Sequence, residues 1–290
     1  MTKRVFCIGN GESRQSFDLR ILRGHGKIYG CNALYRDFKA DVLIAVDGGI
    51  MHEVYHSGYC DENETWLRDW VPLPGVTYRQ VVYGDLSESE FEVAKKHIDS
   101  VNENPKQGRK NFVFHGSTLQ GKVGIIKRYA DKPEAHEIMR KEVNHTGINV
   151  SWVNPNDKAH CLRDLIRDDL KDRGWAAGAS AGWVALAQNK DLEEFYLIGH
   201  DLRTNTSKVN NMYKGTKYYA QPEQAPIPFT NWVQQFKTLF KEYKKVKFYK
   251  VNPNGQRGNT PIDSRVEEWN DCPNVEYLTF QNIIDKFGKA

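Results

Sequence analysis

Apolar positions in this chain gather into short runs, and the runs keep ending on small or polar residues. Residues 5–8 (Val-Phe-Cys-Ile) stop at Gly9-Asn10-Gly11-Glu12-Ser13, 27–30 stop at Cys31-Asn32, and 41–46 stop at Asp47-Gly48-Gly49. Runs without polar alternation are what strands of a parallel sheet show when helices cover both faces. Residues 194–198, ending on Gly199-His200-Asp201, and 246–251, ending on Asn252-Pro253-Asn254, repeat the pattern. The middle of the chain is less regular, with strands expected at 111–114 and 149–153. A last strand is expected at 275–277.

Helical periodicity fills several gaps. Ser87-x-x-Glu90 reads as a capping box opening a helix toward Ile98. Residues 156 to about 173 place Leu162, Leu165, Ile166 and Leu170 on one face, which predicts a helix. Further helices are expected from Gly178-Ala179-Ser180-Ala181-Gly182 through Leu186, over 230–243, and over 279–287. Residues 101–110 and 207–219 read as loops, the second polar and aromatic, lying over a site. Strands alternating with helices give an α/β, Rossmann-like fold, a mostly parallel sheet with helices on both faces. No repeat or low-complexity linker divides the chain. It therefore reads as a single α/β domain over 1–290, with 61–170 an inserted or divergent, irregular region acting as a lid.

Composition narrows the class. With 290 residues, 39% hydrophobic and 27% charged, the chain is an ordinary globular protein and can bury a full core. No apolar run is long enough to span a bilayer, and residues 1–4 lead into a strand without a signal-peptide core. Five cysteines without a repeated C-x-x-C spacing fit reduced thiols. These features predict a cytoplasmic protein. A net charge of +4 suits an anionic ligand without demanding nucleic acid.

Ligands of open α/β sheets sit at the carboxyl ends of the strands. Asn10, Asn32 and Asp47 stand at three such ends. Gly9 and Gly11 would let backbone approach a ligand, although a tight turn uses the same residues. Ser180-x-Gly182 at a helix start reads either as a phosphate site or as a plain N-cap. His52-Glu-Val-Tyr-His56 matches the H-E-x-x-H zinc pattern, with Cys60 or Asp61 as the available third ligand, but a solvated helix face uses the same residues, so no metal is expected. Gly116-Ser-Thr-Leu-Gln-Gly121-Lys122 is followed by Val123, so it lacks the hydroxyl of a P-loop. Lys237, Lys241, Lys244 and Lys245 line one helix face, which is either solvated or a DNA contact.

Taken together, "IGNGES", "GCNALYRDF", "VLIAVDGG…HEVY", "SAGWVALA…EEFYLIGHD" and "KKVKFYKVNPN" resemble the Campylobacter-type bacterial sialyltransferases. The nucleotide-site pattern is also similar to archaeal-type hydroxymethyl-dihydropterin diphosphokinases, and "IYGCNALYRDF" looks like proteins of marine tailed phages. The likeness covers roughly the first 60 residues and 175–255. It implies that Gly9, Asn10, Gly11, Ser13 and Asn32 meet the nucleotide of an activated donor. It further implies that Ser180 and Gly182 hold its phosphate, and that Asp201 and Asn254 lie beside ribose, base or phosphate. The histidine that serves that family as general base has no counterpart at Pro226–Thr230. Asp47 and Asp201 are therefore preferred over His200 as base, and Arg203 and Tyr213 would meet the leaving phosphate.

The expected function is a nucleotide-sugar-dependent glycosyltransferase that passes a group to a hydroxyl of a glycan or, under the phage likeness, a modified DNA base. The nucleotide sugar is then substrate and no cofactor is needed. A pterin-type diphosphokinase would need ATP and Mg²⁺, and a non-catalytic nucleotide-binding or virion-associated protein would turn nothing over. A homo-oligomer stays open.

Overall fold

The computed structural model describes residues 3–78, 98–100, 108–115, 148–165, 175–202, 204, 207–252 and 265–288. In chain order the described elements are strands β1 (Arg4–Ile8), β2 (Lys27–Cys31) and β3 (Val42–Ala45), then helix α1 (Gly48–His56). Strands β4 (Glu64–Leu67), β5 (Leu73–Pro74), β6 (Ile98–Ser100), β7 (Asn111–His115), β8 (Ile148–Val153) and β9 (Ala159–Cys161) follow. Helix α2 (Ala177–Gln188), strand β10 (Glu194–Ile198), helix α3 (Thr230–Glu242), strands β11 (Lys247–Asn252) and β12 (Val275–Thr279), and helix α4 (Phe280–Phe287) complete the chain. They form two compact units, one of Met1–Ile44 with Asp172–Ala290 and one of Ala45–Lys171. No helix among the described residues is long and apolar enough to cross a membrane.

The first unit is built on a parallel sheet in the order β12-β11-β10-β1-β2-β3. The fold is α/β and Rossmann-like. Chain order reverses between β1 and β10, and ligands of such sheets bind outside the strand ends at that reversal. Helices cover both faces. On one face the Cys7 thiol donates to the Gly178 carbonyl of α2 (3.7 Å), and Phe240 of α3 packs on Phe248 of β11 (4.7 Å between ring centroids). On the other, Phe287 of α4 packs on Phe6 and Tyr196 (5.3 and 5.6 Å). Burying each such ring contributes roughly 1.5–3 kcal/mol, so alternate residues of the same strands hold both layers.

α2 runs antiparallel to the strands. Its start lies at Cys7, near the end of β1. At its far end the Tyr29 hydroxyl donates to Gln188 (2.9 Å), Asn189 donates to that hydroxyl (2.9 Å), and Lys27, the first residue of β2, also donates to Gln188 (3.3 Å). The helix is apolar all round, as a helix packed between a sheet and a second helix must be.

The second unit holds the parallel pair β4–β9 and a four-stranded sheet in the order β5-β7-β8-β6, antiparallel except for β6–β8. The helix expected over 156–173 does not form in its described part. Asn154 Oδ1 accepts from the Asn156 N–H (3.1 Å) and Asp157 Oδ1 from the Ala159 N–H (3.1 Å), two side-chain turns that break a helix start. Residues 159–161 then pair with β4, and within the described residues a 3-10 turn, Leu162–Asp164, follows. Residues 166–173, the Ser87–Glu90 capping box and the 116–122 loop lie outside the described residues.

Candidate functional site

The reversal between β1 and β10 is closed by backbone pairing that runs past both strands. The Gly9 N–H donates to the Ile198 carbonyl (2.8 Å) and the Gly11 N–H to the Gly199 carbonyl (2.8 Å). The Glu12 N–H donates to Asn210 Oδ1 (2.9 Å) and the Ser13 N–H to Asp201 Oδ2 (3.0 Å). These four donors are therefore occupied and are not free to meet a phosphate. The glycines of this turn serve an internal approach instead. A methyl group at Gly9 would lie 2.5 Å from the Gly199 carbonyl oxygen, and one at Gly11 would lie 2.4 Å from the Asp201 carboxylate. Asp201 is buried and holds the Gly11–Ser13 turn in place.

The side chains at this edge are less completely used. Asn10 donates from Nδ2 to the Cys31 carbonyl at the end of β2 (3.0 Å), which fixes the amide's orientation. Its Oδ1 is then a buried acceptor with no hydrogen-bond partner, and the Ser13 hydroxyl is in the same state. Leaving such a group unpaired costs about 1–3 kcal/mol. Asn32 opens the turn after β2 with φ +49°, a left-handed conformation that asparagine tolerates.

Helix α2 begins at Ala177, earlier than Ser180. Ala176 is its N-cap and has no capping side chain. The Ser180 N–H already donates to the Ala176 carbonyl (2.9 Å), so the donors left by the helix geometry belong to Ala177, Gly178 and Ala179. Ser180 is 1% exposed, and its hydroxyl has no hydrogen-bond partner. Gly182 sits two residues on, where a methyl group would lie 3.1 Å from Leu239 Cδ1 of α3, so its lack of a side chain serves helix packing.

The His200 ring is buried on the α2 side, 5.1 Å from the Phe236 ring centroid. Burial, reinforced by the Lys250 charge, pushes its pKa down to about 3, so it is neutral and a poor base near neutral pH.

The 207–219 segment is pinned over the same strand ends. The Met212 N–H donates to the Asn10 carbonyl (2.9 Å), and Lys214 pairs with Glu12. Arg14, 3% exposed, donates to the Gly9 carbonyl (2.8 Å) and to the Tyr213 hydroxyl (3.0 Å), which donates to Asp37. The Ala33 N–H donates to the Tyr219 hydroxyl (3.2 Å). Tyr213 thus spends its hydroxyl inside the fold, and burial pushes its pKa well up. Arg14 and Asp37 escaped the sequence reading because nothing in their local pattern marks a pair 23 residues apart. Arg203 and Asn254 lie outside the described residues.

The second unit carries the other candidates. Asp47 precedes α1 without capping it. It acts electrostatically on Arg68, whose pKa burial lowers, and Arg163 pairs with Asp69, whose carboxyl burial raises. His52 and His56 lie 4.2 Å apart between ring centroids on α1, and His56 Nε2 bonds the buried Ser151 hydroxyl at 2.8 Å. Among the described residues no three His, Cys, Asp or Glu side chains gather as a metal site. In the first unit, Lys237 and Lys241 of α3 both pair with Asp271 (2.8 Å each), which offsets part of the charge that a nucleic acid would meet.

No family model matches the chain, and no curated protein or solved structure does.

Proposed function

We propose that the first unit binds the nucleotide of an activated sugar donor at the carboxyl edge of its parallel sheet, and that the protein is a glycosyltransferase acting on a hydroxyl. One observation carries this reading. Two buried side-chain groups without a partner, Asn10 Oδ1 and the Ser13 hydroxyl, stand at the edge that also receives the uncapped start of α2. Asn10 offers only an acceptor, which suits a ribose hydroxyl. The helix start offers N–H donors and a partial positive charge, which suit a phosphate. A sugar nucleotide carries both chemistries.

In the transfer, the acceptor oxygen attacks the sugar's anomeric carbon. The bond from that carbon to the phosphate oxygen breaks, and the nucleotide leaves with the electron pair. The first turn of α2 would stabilise the charge gathering on the phosphate. The hydroxyl proton passes to a base. Asp201 is a buried carboxylate at this edge of the first unit, and its bond to the Ser13 N–H also makes it a positioning residue.

A thermal-shift screen over nucleoside phosphates and sugar nucleotides tests the reading, because a ligand that binds only the folded state raises the melting temperature. A sugar nucleotide that raises it, and whose nucleotide is released on incubation with an acceptor, supports the reading. A flat response to the whole panel overturns it.

A further inference from the structure

Helix α3 buries Val233, Phe236, Leu239 and Phe240, and with them one polar side chain, Gln235. A buried amide costs free energy unless its polar atoms find partners. Gln235 Oε1 has one, since it accepts from the Ala176 N–H (3.0 Å) at the N-cap of α2. A backbone N–H can only donate, so the atom facing it is the oxygen, and the orientation of the amide is fixed. Nε2 shares a carbon with Oε1 and therefore stands beside the same helix start. It donates to nothing among the described residues, although Gln235 is only 8% exposed.

Ser180 adds a second, independent group. Its hydroxyl is buried without a hydrogen-bond partner. Side chains of a helix lean toward its N-terminus, so Ser180, at the end of the first turn, leans over Ala176 and Ala177. The N–H groups of Ala177, Gly178 and Ala179 have no intrahelical partner, and Ala176 and Gly178 are only half-buried, so the helix start is open to solvent. Backbone N–H groups, an amide and a hydroxyl thus meet there, all of them uncharged and all able to donate. Donors supplied from two helices suit a tetrahedral oxyanion, whose oxygens face several directions at once, better than a flat carboxylate.

We propose that Gln235 is a phosphate-binding residue, whose Nε2 donates to a phosphate held at the first turn of α2. The ligand class is a phosphate group, free or esterified. This assignment rests on the phosphate reading of α2 given above, and adds to it a side chain from a distant part of the sequence. A purely structural Gln235 would use only its oxygen, tying α3 to the N-cap of α2.

The test separates the two ends of the amide. Gln235→Glu keeps an oxygen for the Ala176 N–H and replaces the donor by a second oxygen and a negative charge. A carboxylate beside a helix start is favourable, so this variant is expected to melt no lower than the wild type. The full chain is titrated by calorimetry with inorganic phosphate and with uridine 5′-monophosphate. The wild type is expected to bind at least one of them, phosphate alone marking a free ion and the nucleotide an ester. Gln235→Glu is expected to bind the same probe roughly tenfold or more weakly, because a donor is lost and like charges meet. Unchanged affinity in the folded variant is what a structural role predicts, and it overturns the proposal while leaving the phosphate reading of α2 in place. If Gln235→Glu does not fold, the side-chain amide signals of Gln235 in the wild type decide. A saturable shift with the bound probe supports the proposal, and signals that stay in place overturn it. Failure of both probes to bind the wild type removes the phosphate reading of α2, and the proposal with it.

Discussion

Gly11 shows how little space the β1–β10 junction leaves, since a single methyl group there would meet the Asp201 carboxylate at 2.4 Å. Gly11→Ala is expected to cost about 1–3 kcal/mol, the usual price of overpacking a closed site, read as a lower urea midpoint. An unchanged midpoint would mean that the turn relaxes freely. His200 supplies a pH signature. An unperturbed histidine titrates near 6.5 and His200 near 3, so between these values the unfolded chain holds a proton that the native state refuses. Stability is therefore full above about pH 6.5 and falls as the pH drops toward 3, by up to about 1.4 kcal/mol per pH unit. Urea midpoints over that range are expected to slope less in His200→Phe than in the wild type; equal slopes would place the acid sensitivity elsewhere. Asn10 was legible in the sequence as a strand-end residue. Its bond to the Cys31 carbonyl was not, because the pairing of β1 with β2 creates it.

Among the elements, the 207–219 segment depends on one buried guanidinium. Arg14→Ala removes the donors to the Gly9 carbonyl and the Tyr213 hydroxyl, and is expected to cost roughly 2–4 kcal/mol. Faster exchange of the Met212 amide, which is bonded to the Asn10 carbonyl, is expected with it. Tyr213→Phe keeps the ring and loses only the hydroxyl, so about 1 kcal/mol is expected. If Met212 exchanges at the wild-type rate in Arg14→Ala, the segment is held by its other contacts. Strands β1, β2, β3 and β10 were readable because each is largely apolar on both faces and is followed at once or within two residues by Gly, Asn or Asp. The described part of the 156–173 segment, residues 156–165, misled for an equally physical reason. Its leucines recur at helical spacing, yet Asn154 and Asp157 bond backbone N–H groups in their own turns, and 159–161 gains a strand partner in β4. A spacing pattern carries no information about either.

At the scale of the whole molecule, each unit follows its own rule. The first unit's strand order, with its reversal between β1 and β10, follows from parallel strands that alternate with helices, and so the candidate edge could be anticipated. The second unit mixes parallel and antiparallel pairs, and its strands depend on partners distant in sequence, such as β7 with β8, which leave little local mark. The central claim is that the carboxyl edge of the first unit holds a nucleotide, with its sugar at Asn10 and Ser13 and its phosphate at the start of α2. Backbone amide spectra, recorded while the sugar nucleotide that most stabilises the protein is titrated in, test it directly. The account predicts saturable shifts concentrated at residues 10–13 and 177–180. Shifts confined to Ala45–Lys171, or no saturable shift at those two segments, would contradict it.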